Sequence, residues 1–491
     1  MKIPDEVKMI MKTLYNEGLE AFAVGGCVRD TFMGRDPEDW DLTTNAEPER
    51  VQILFEGKGF NCFYENDFGT VGIILPDNPQ RDFSNIVEIT TYRTEDTYSN
   101  KRHPDNVRWA KTIEEDLSRR DFTSNAIAVK VNGDEVEIID PYEGRKDIEN
   151  RTIRAVGDPE KRFAEDALRM FRAVRFATTL NFKIEPETLE AIKKNASWTA
   201  GVSQERVRDE LIKMIMNERA TDGVELLRSV GILDYVIPEL VGGYEVTQNK
   251  HHIHDCYRHN LLTLDYAAKK GFSLYVRMAG LLHDVAKPAV KSGEGEDATF
   301  YNHEIVGAKM AREILLRLKF SKKDVAKIIK LVRYHLFYYN VDEVSEASVR
   351  RLVRQVGIEN MDDLLKLRMC DRIGSGVPKA EPYKLRHLKY LIDKTSQDPI
   401  STKMLAVNGG DVMKMLGLDP GPKVGWMLNI LLKQVLVDPG KNTEEYLRGE
   451  IVRLGALSEK EIQSLSNEAK REVEEVEVKK DEMTKKKYWV S

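Results

Sequence analysis

The chain has no run of about 18 apolar residues, so no membrane-spanning helix is expected. Its N-terminus, MKIPDEVKMIMKTLYNEG, lacks the apolar core of a secretory signal. Only four cysteines occur in 491 residues (Cys27, Cys62, Cys256 and Cys370), and no two of them form a CxxC pair. That scarcity fits a reducing cytoplasm and argues against a cysteine zinc site. No internal repeat is visible, and there is no basic excess. The net charge of -6 does not advertise a nucleic-acid binder, although phosphate contacts need only a local basic face.

What is present is a chain long enough for several units, with 41% hydrophobic and 32% charged residues. Val7, Ile10, Met11 and Leu14 fall at helical spacing within residues 5 to 17. A short apolar strand, Ala21 to Val24, closes on Gly25-Gly26. Further strands are expected at Val71 to Leu75, Ile86 to Thr91, Ala126 to Val131 and Val136 to Ile139. From about Pro159 the pattern is helical almost to the end. Seven of the nine histidines lie between 251 and 335, which marks a separate helical unit. From Glu459 the chain is charge-dense, ending in KKKYW, and reads as an exposed helix or a partly disordered tail.

The richest segment is AFAVGGCVRDTFMGRDPEDWDLTTNAEPE. Two carboxylates two apart on a strand, Asp39 and Asp41, share a face and can hold a hydrated Mg²⁺. Gly25 and Gly26 let backbone N–H groups approach a triphosphate, and Arg29 can pair with a phosphate. An isolated DxD is more often a solvated turn. The whole string is more specific. It resembles the head motif of polymerase β-like nucleotidyltransferases, and closely that of bacterial-type (class II) CCA-adding tRNA nucleotidyltransferases and their poly(A) polymerase relatives. The resemblance implies an α+β head with a mixed sheet, followed by an all-α body. It also implies tRNA as partner and CTP and ATP as substrates. Two-metal displacement often needs a third carboxylate, for which Glu88 in VEITTYR is the nearest candidate.

EEDLSRRDFTSNAIA, with Arg119, Arg120 and Asp121, looks like the family's ribose-recognising motif, in which Asp121 accepts from a sugar hydroxyl. In RFAEDALRMFRAVRFA, Asp166, Arg169 and Arg172 are expected near one face of a single helix. Such a carboxylate–guanidinium pair imitates a Watson–Crick edge. Asp166 can accept from N4 of cytosine or N6 of adenine, and Arg169 can donate to the adjacent ring nitrogen. Uracil and guanine present the reverse pattern. Arg172 is expected on the triphosphate, and Glu165 is expected to orient Arg169. Asp140-Pro141-Tyr142-Glu143-Gly144 resembles the hinge motif after the catalytic sheet. The polar stretch Thr94 to Val107, with Lys101, Arg102 and His103, resembles the loop of enzymes that add the terminal A. Full CCA addition is therefore the leading reading, and an A-only enzyme stays open.

His259, His283-Asp284 and Asp371 resemble the HD phosphohydrolase superfamily, with His303 and His335 where that family often adds two more histidines. The resemblance implies a divalent transition metal. A phosphohydrolase with an RNA-binding head is the competing reading of the whole chain. Lys309 to Arg333 is basic enough to follow phosphates, or is simply a solvated helix face. The expected division is a head over 1–150, a neck with the base template over 151–245, and an HD unit over 246–395. Tail helices for tRNA follow over 396–455, then a charged extension over 456–491.

Overall fold

The computed structural model describes residues 3–64, 69–78, 81–95, 107–132, 135–249, 253–341, 343–396 and 401–490. The chain forms two compact units, Met1–Leu336 with Lys366–Pro378, and Phe337–Leu365 with Lys379–Ser491. Most of the loop expected over Thr94 to Val107, including Lys101, Arg102 and His103, lies outside the described residues, as do His251 and His252.

The first unit opens with helix Asp5–Asn16, whose Val7, Ile10, Met11 and Leu14 are buried as their spacing predicts. A seven-stranded mixed sheet follows. Its spatial order is Asn61–Tyr64, Thr70–Ile74, Ile86–Thr91, Trp40–Thr44, Phe22–Val24, Ala128–Asn132, Glu135–Ile139. Only Trp40–Thr44 and Ile86–Thr91 run parallel; the other neighbours are antiparallel. Trp40, Leu42, Val87 and Ile89 join a core with Val7, Ile10, Val51 and Phe55 from the flanking helices. Alternation along Trp40–Thr44 therefore turns Asp41 away from that core.

The strand expected from Ala126 starts instead at Ala128, because Thr123–Asn125 form a turn of 3-10 helix. Asp39 sits just ahead of its strand, which begins at Trp40. Beyond the head, among the described residues, the regular elements are helices apart from the paired two-residue strands Thr152–Ile153 and Lys183–Ile184 and single β-bridges at Ala155 and between Ser292 and Thr299. The expectation of an α+β head on an all-helical body is met.

The second unit packs Met427, Leu431, Leu447, Ile451, Ile462 and Ala469 into its own core. Phe337–Leu365 falls within the expected 246–395 unit along the sequence, yet belongs to this second unit in space. The charge-dense end is a 30-residue helix, Glu459–Tyr488, opened by a Ser458–Glu461 capping box. It is not simply exposed. Ile462, Ser466 and Ala469 are buried, and Lys433 reaches Glu472 at 2.6 Å. No described helix is long and apolar enough to cross a membrane.

Candidate active site

The parallel register places Asp41 directly beside Glu88. Asp39, Asp41 and Glu88 line one cavity of about 330 Å³, together with Glu38, Phe63, Ser84 and Ile86. Burial and the nearby charge of Asp39 push the Asp41 carboxyl up to about 6, against the pull of Arg120. Crowded carboxylates of this kind are relieved by a cation, and an oxygen-only donor set suits Mg²⁺. The residues present therefore fit that metal.

Gly25 has φ +79°, and a Cβ there would lie 3.2 Å from Arg120 Nη1 and 3.7 Å from Asp41 Oδ2. Only glycine allows both the backbone and the close approach. Gly26 starts a short helix, Gly26–Phe32, that carries Arg29 inward. Arg29 is buried and engaged. Its Nε and Nη2 donate to Asp30, its Nη1 donates to Asn125 Oδ1 at 2.8 Å, and it lies over Phe176. In this arrangement its guanidinium ties the helix Gly26–Phe32 to Asn125 and Phe176.

A chain of charged contacts continues from there. Asn125 donates to Asp121 Oδ1 at 3.2 Å, beside the Phe122 N–H at 2.8 Å. Arg172 donates twice to Asp121 Oδ2, at 2.9 and 2.6 Å, and reaches Glu210 at 3.5 Å. Glu210 also accepts from Arg175 at 2.6 Å. Burial opposes ionisation of Asp121, but Arg172 and Asn125 hold its carboxyl down at about 2. A carboxylate offers about four lone-pair sites, and these donors take all of them. Nearby, Asp116 is buried under Arg119 at 2.7 Å and Arg120 at 3.1 Å. Arg119 is thus tied to Asp116, while its backbone carbonyl accepts from Arg169 at 3.1 Å.

The expected single helix through Asp166 and Arg169 is broken. Helix Pro159–Glu165 ends at Asp166, whose backbone is extended (φ -142°, ψ 105°), and a second helix runs Leu168–Leu180. The Asp166 side chain explains the break, since its Oδ1 accepts from the Leu168 N–H at 3.1 Å and competes with helical pairing. Arg169 donates to Glu165 at 2.6 Å, the orientation expected from the sequence. Arg206, Glu210, Asp116 and Asn125 were not foreseen. The dense ERVRDEL string was the only available hint for the first two.

A second cluster lies in the same unit. His259 Nε2 is 3.0 Å from His283 Nε2, 3.3 Å from Asp284 and 3.4 Å from Asp371. His303 and His335 face the other oxygen of Asp284 at 3.4 and 3.6 Å. His283, His303 and His335 each donate from Nδ1 to a backbone carbonyl, at 2.9, 2.7 and 2.7 Å. Each Nε2 is thereby left to act as an inward-facing ligand. Asp284 Oδ1 is buried and accepts no hydrogen bond. All six expected residues therefore converge, with Asp284 common to the His259–His283 and His303–His335 groups, and their donor chemistry fits a divalent transition metal. Burial opposes charge on His259, but Asp284 and Asp371 raise it to about 9, whereas burial and His283 drive His335 down to about 3. Lys287, Arg368, Arg372 and Tyr301 line the adjoining cavity of about 770 Å³.

The Lys309 to Arg333 stretch divides between helices His303–Arg317 and Lys322–Tyr334. Within it, Arg317 pairs with Glu239 at 2.7 Å, Arg333 with Glu304 at 3.6 Å, and Lys327 lies over the Tyr275 ring.

Residues 21–154 match the family model of the Poly A polymerase head domain. Residues 181–242 match the probable RNA and SrmB-binding site of polymerase A, and 256–373 match the HD domain. A CCA-adding enzyme of Levilactobacillus brevis is 41% identical over 48% of this chain and 56% of its own length, so the match spans little more than half of that relative. The CCA-adding enzyme of Lactiplantibacillus plantarum is 31% identical, covering 90% of this chain and 94% of that one. The A-adding tRNA nucleotidyltransferase of Deinococcus radiodurans is 35% identical over 84% and 90%. The solved CCA-adding enzyme of Bacillus stearothermophilus, in complex with CTP, superposes with a TM-score of 0.60 at 27% identity, covering 92% of this chain and 98% of that one.

Proposed function

This chain belongs to the CCA-adding tRNA nucleotidyltransferase family, and from that membership we propose that it builds and repairs the 3′-terminal CCA of tRNA without a nucleic-acid template. CTP and ATP are the substrates, and pyrophosphate leaves as the 3′-hydroxyl of tRNA attacks the α-phosphate. The observation that carries this reading is the register that sets Asp41 beside Glu88, with Asp39 lining the same cavity.

Asp39 and Asp41 are the residues we assign to Mg²⁺, with Glu88 as the third carboxylate. Mg²⁺ bound there supplies Lewis-acid stabilisation to the attacking hydroxyl and to the departing pyrophosphate. Gly25 and Gly26 leave room for the triphosphate. Asp121 accepts from the ribose hydroxyl by giving up the two bonds it now takes from Arg172, which is then released toward phosphate. Arg119 shapes the nucleotide pocket through the carbonyl that holds Arg169. Asp166 and Arg169 read cytosine or adenine. Along the sequence we place the head over 1–150, the neck over 151–245, the HD unit over 246–395, the tRNA tail over 396–455 and the extension over 456–491, with 337–365 and 379–395 of the HD span folded into the second unit. Four free cysteines suit a cytoplasmic protein.

The test uses tRNA ending at the discriminator base, at -C or at -CC, with each NTP singly and Mg²⁺. Incorporation of C followed by A is the expected result. Addition of A to the -CC substrate alone would identify the A-adding activity for which the Deinococcus relative is named. No incorporation at all would overturn the reading. The His259, His283, Asp284, His303, His335 and Asp371 centre supports a second, phosphohydrolase activity, because Arg372 lines its cavity beside Lys287 and Arg368, which pair with Asp284 and Asp371 at 2.6 and 2.8 Å and can exchange those carboxylates for phosphate.

A further inference from the structure

We infer that Arg206 is a specificity-determining positioning residue, which fixes the Asp166 carboxylate so that a single acceptor site faces the incoming base. The inference rests on the assignment of Asp166 and Arg169 to base reading. Asp166 stands on extended backbone between two helices, so no helix sets the direction of its side chain. Three donors do that. The Leu168 N–H and Arg206 Nη1 bind Oδ1 at 3.1 and 3.2 Å, and Arg206 Nη2 binds Oδ2 at 2.5 Å. Of about four lone-pair sites on a carboxylate, one remains, and it belongs to Oδ2.

One acceptor matches one N–H of an exocyclic amine, which cytosine carries at N4 and adenine at N6. The carbonyl of uracil or guanine at the same place meets an oxygen that has no proton to give. A bidentate guanidinium fixes the carboxylate plane as well as its charge. Without Arg206, the Leu168 N–H alone leaves Asp166 free to turn about its last torsion, and the geometry that rejects a carbonyl is lost. Arg206 comes from helix Gln204–Ile215 and is partly exposed, so its replacement removes this brace without emptying a core. Arg169 is oriented independently, by Glu165 and the Arg119 carbonyl.

Single-turnover incorporation on tRNA lacking CCA tests this, comparing the wild type with Arg206→Gln and Arg206→Lys. The kcat/KM ratio of CTP over UTP is expected to fall roughly tenfold or more in Arg206→Gln, and less in Arg206→Lys, which can keep one bond. In an Asp166→Ala background, Arg206→Gln should cause no further loss of selectivity, because it acts through that carboxylate. An unchanged ratio, with all four NTPs slowed in parallel, would overturn the proposal. So would a further fall in selectivity in the double variant. If Asp166→Ala is relaxed while Arg206→Gln stays selective, the role of Arg206 alone is refuted. If Asp166→Ala keeps wild-type selectivity, the base-reading assignment falls, and this proposal with it.

Discussion

Asp121→Asn keeps the shape of the side chain and removes one buried charge, which makes it a quantitative probe of the Asp121–Arg172 pair. The native environment lowers the Asp121 carboxyl from an ordinary 3.8 to about 2, the pull of Arg172 and Asn125 outweighing burial. That preference is worth roughly 2.5 kcal/mol of stability at neutral pH. The variant also strips Arg172 of its nearest counter-ion, leaving Glu210 at 3.5 Å. Breaking a buried pair from one side generally costs about 3–5 kcal/mol, so a loss of about 3 kcal/mol is expected at pH 7. A depressed carboxyl contributes stability that is present above its unfolded pKa and disappears as pH falls through its folded pKa. The gap between wild type and variant should therefore be flat from about pH 8 to 5, with roughly half of the titrating part gone near pH 3. Urea unfolding followed by hydrogen-exchange mass spectrometry of head peptides reads this locally. A variant as stable as the wild type at pH 7, or a gap undiminished at pH 3, would refute the reasoning. Removing Arg172 as well should recover part of the loss, since neither charge is then stranded.

Asp41→Ala should abolish nucleotide incorporation while leaving the unfolding transition of the head in place. In the wild type, the Mg²⁺ concentration for half-maximal rate should rise as pH falls below about 6, because a proton and the cation compete for Asp41. Gly25→Ala should lose most activity even at saturating nucleotide, because φ +79° and the contact with Arg120 both resist a Cβ; steady-state kinetics checks this. In the second cluster, Asp284→Asn should lose all bound metal, whereas His335→Ala should retain part of it, since Asp284 faces both imidazole sets. Metal-to-protein ratios after loading with Mn²⁺ or Co²⁺ and desalting decide that point.

Residues close in sequence were legible where a short-range rule governs them. Period 2 predicted that Asp39 and Asp41 share a face, and they line one cavity; helical period predicted the buried face of Asp5–Asn16. Period 3.6 failed at Asp166, because a side-chain oxygen that caps the next helix overrides helical continuity. Partnerships across the chain were out of reach. Nothing local signals that Arg206 will find Asp166 forty residues away, or that Arg29 will be spent on Asp30 and Asn125. The six-residue His and Asp centre was readable only through a resemblance, since its members are spread from His259 to Asp371.

The side-by-side register of Trp40–Thr44 and Ile86–Thr91 also limits how this gene can change length. Asp41 and Glu88 meet because each strand is counted from a fixed partner: Trp40 against Val87, Leu42 against Ile89. One residue inserted ahead of Ile86 can be absorbed as slack in the preceding connection. The same insertion between Ile86 and Glu88 would slide every later side chain to the opposite face. An apolar residue would then stand at the cavity, and Glu88 would be driven among Leu42, Val71 and Ile73. Codon-level insertions and deletions should thus be purged from a window of a few residues in the middle of the head, even where substitutions on either side are accepted.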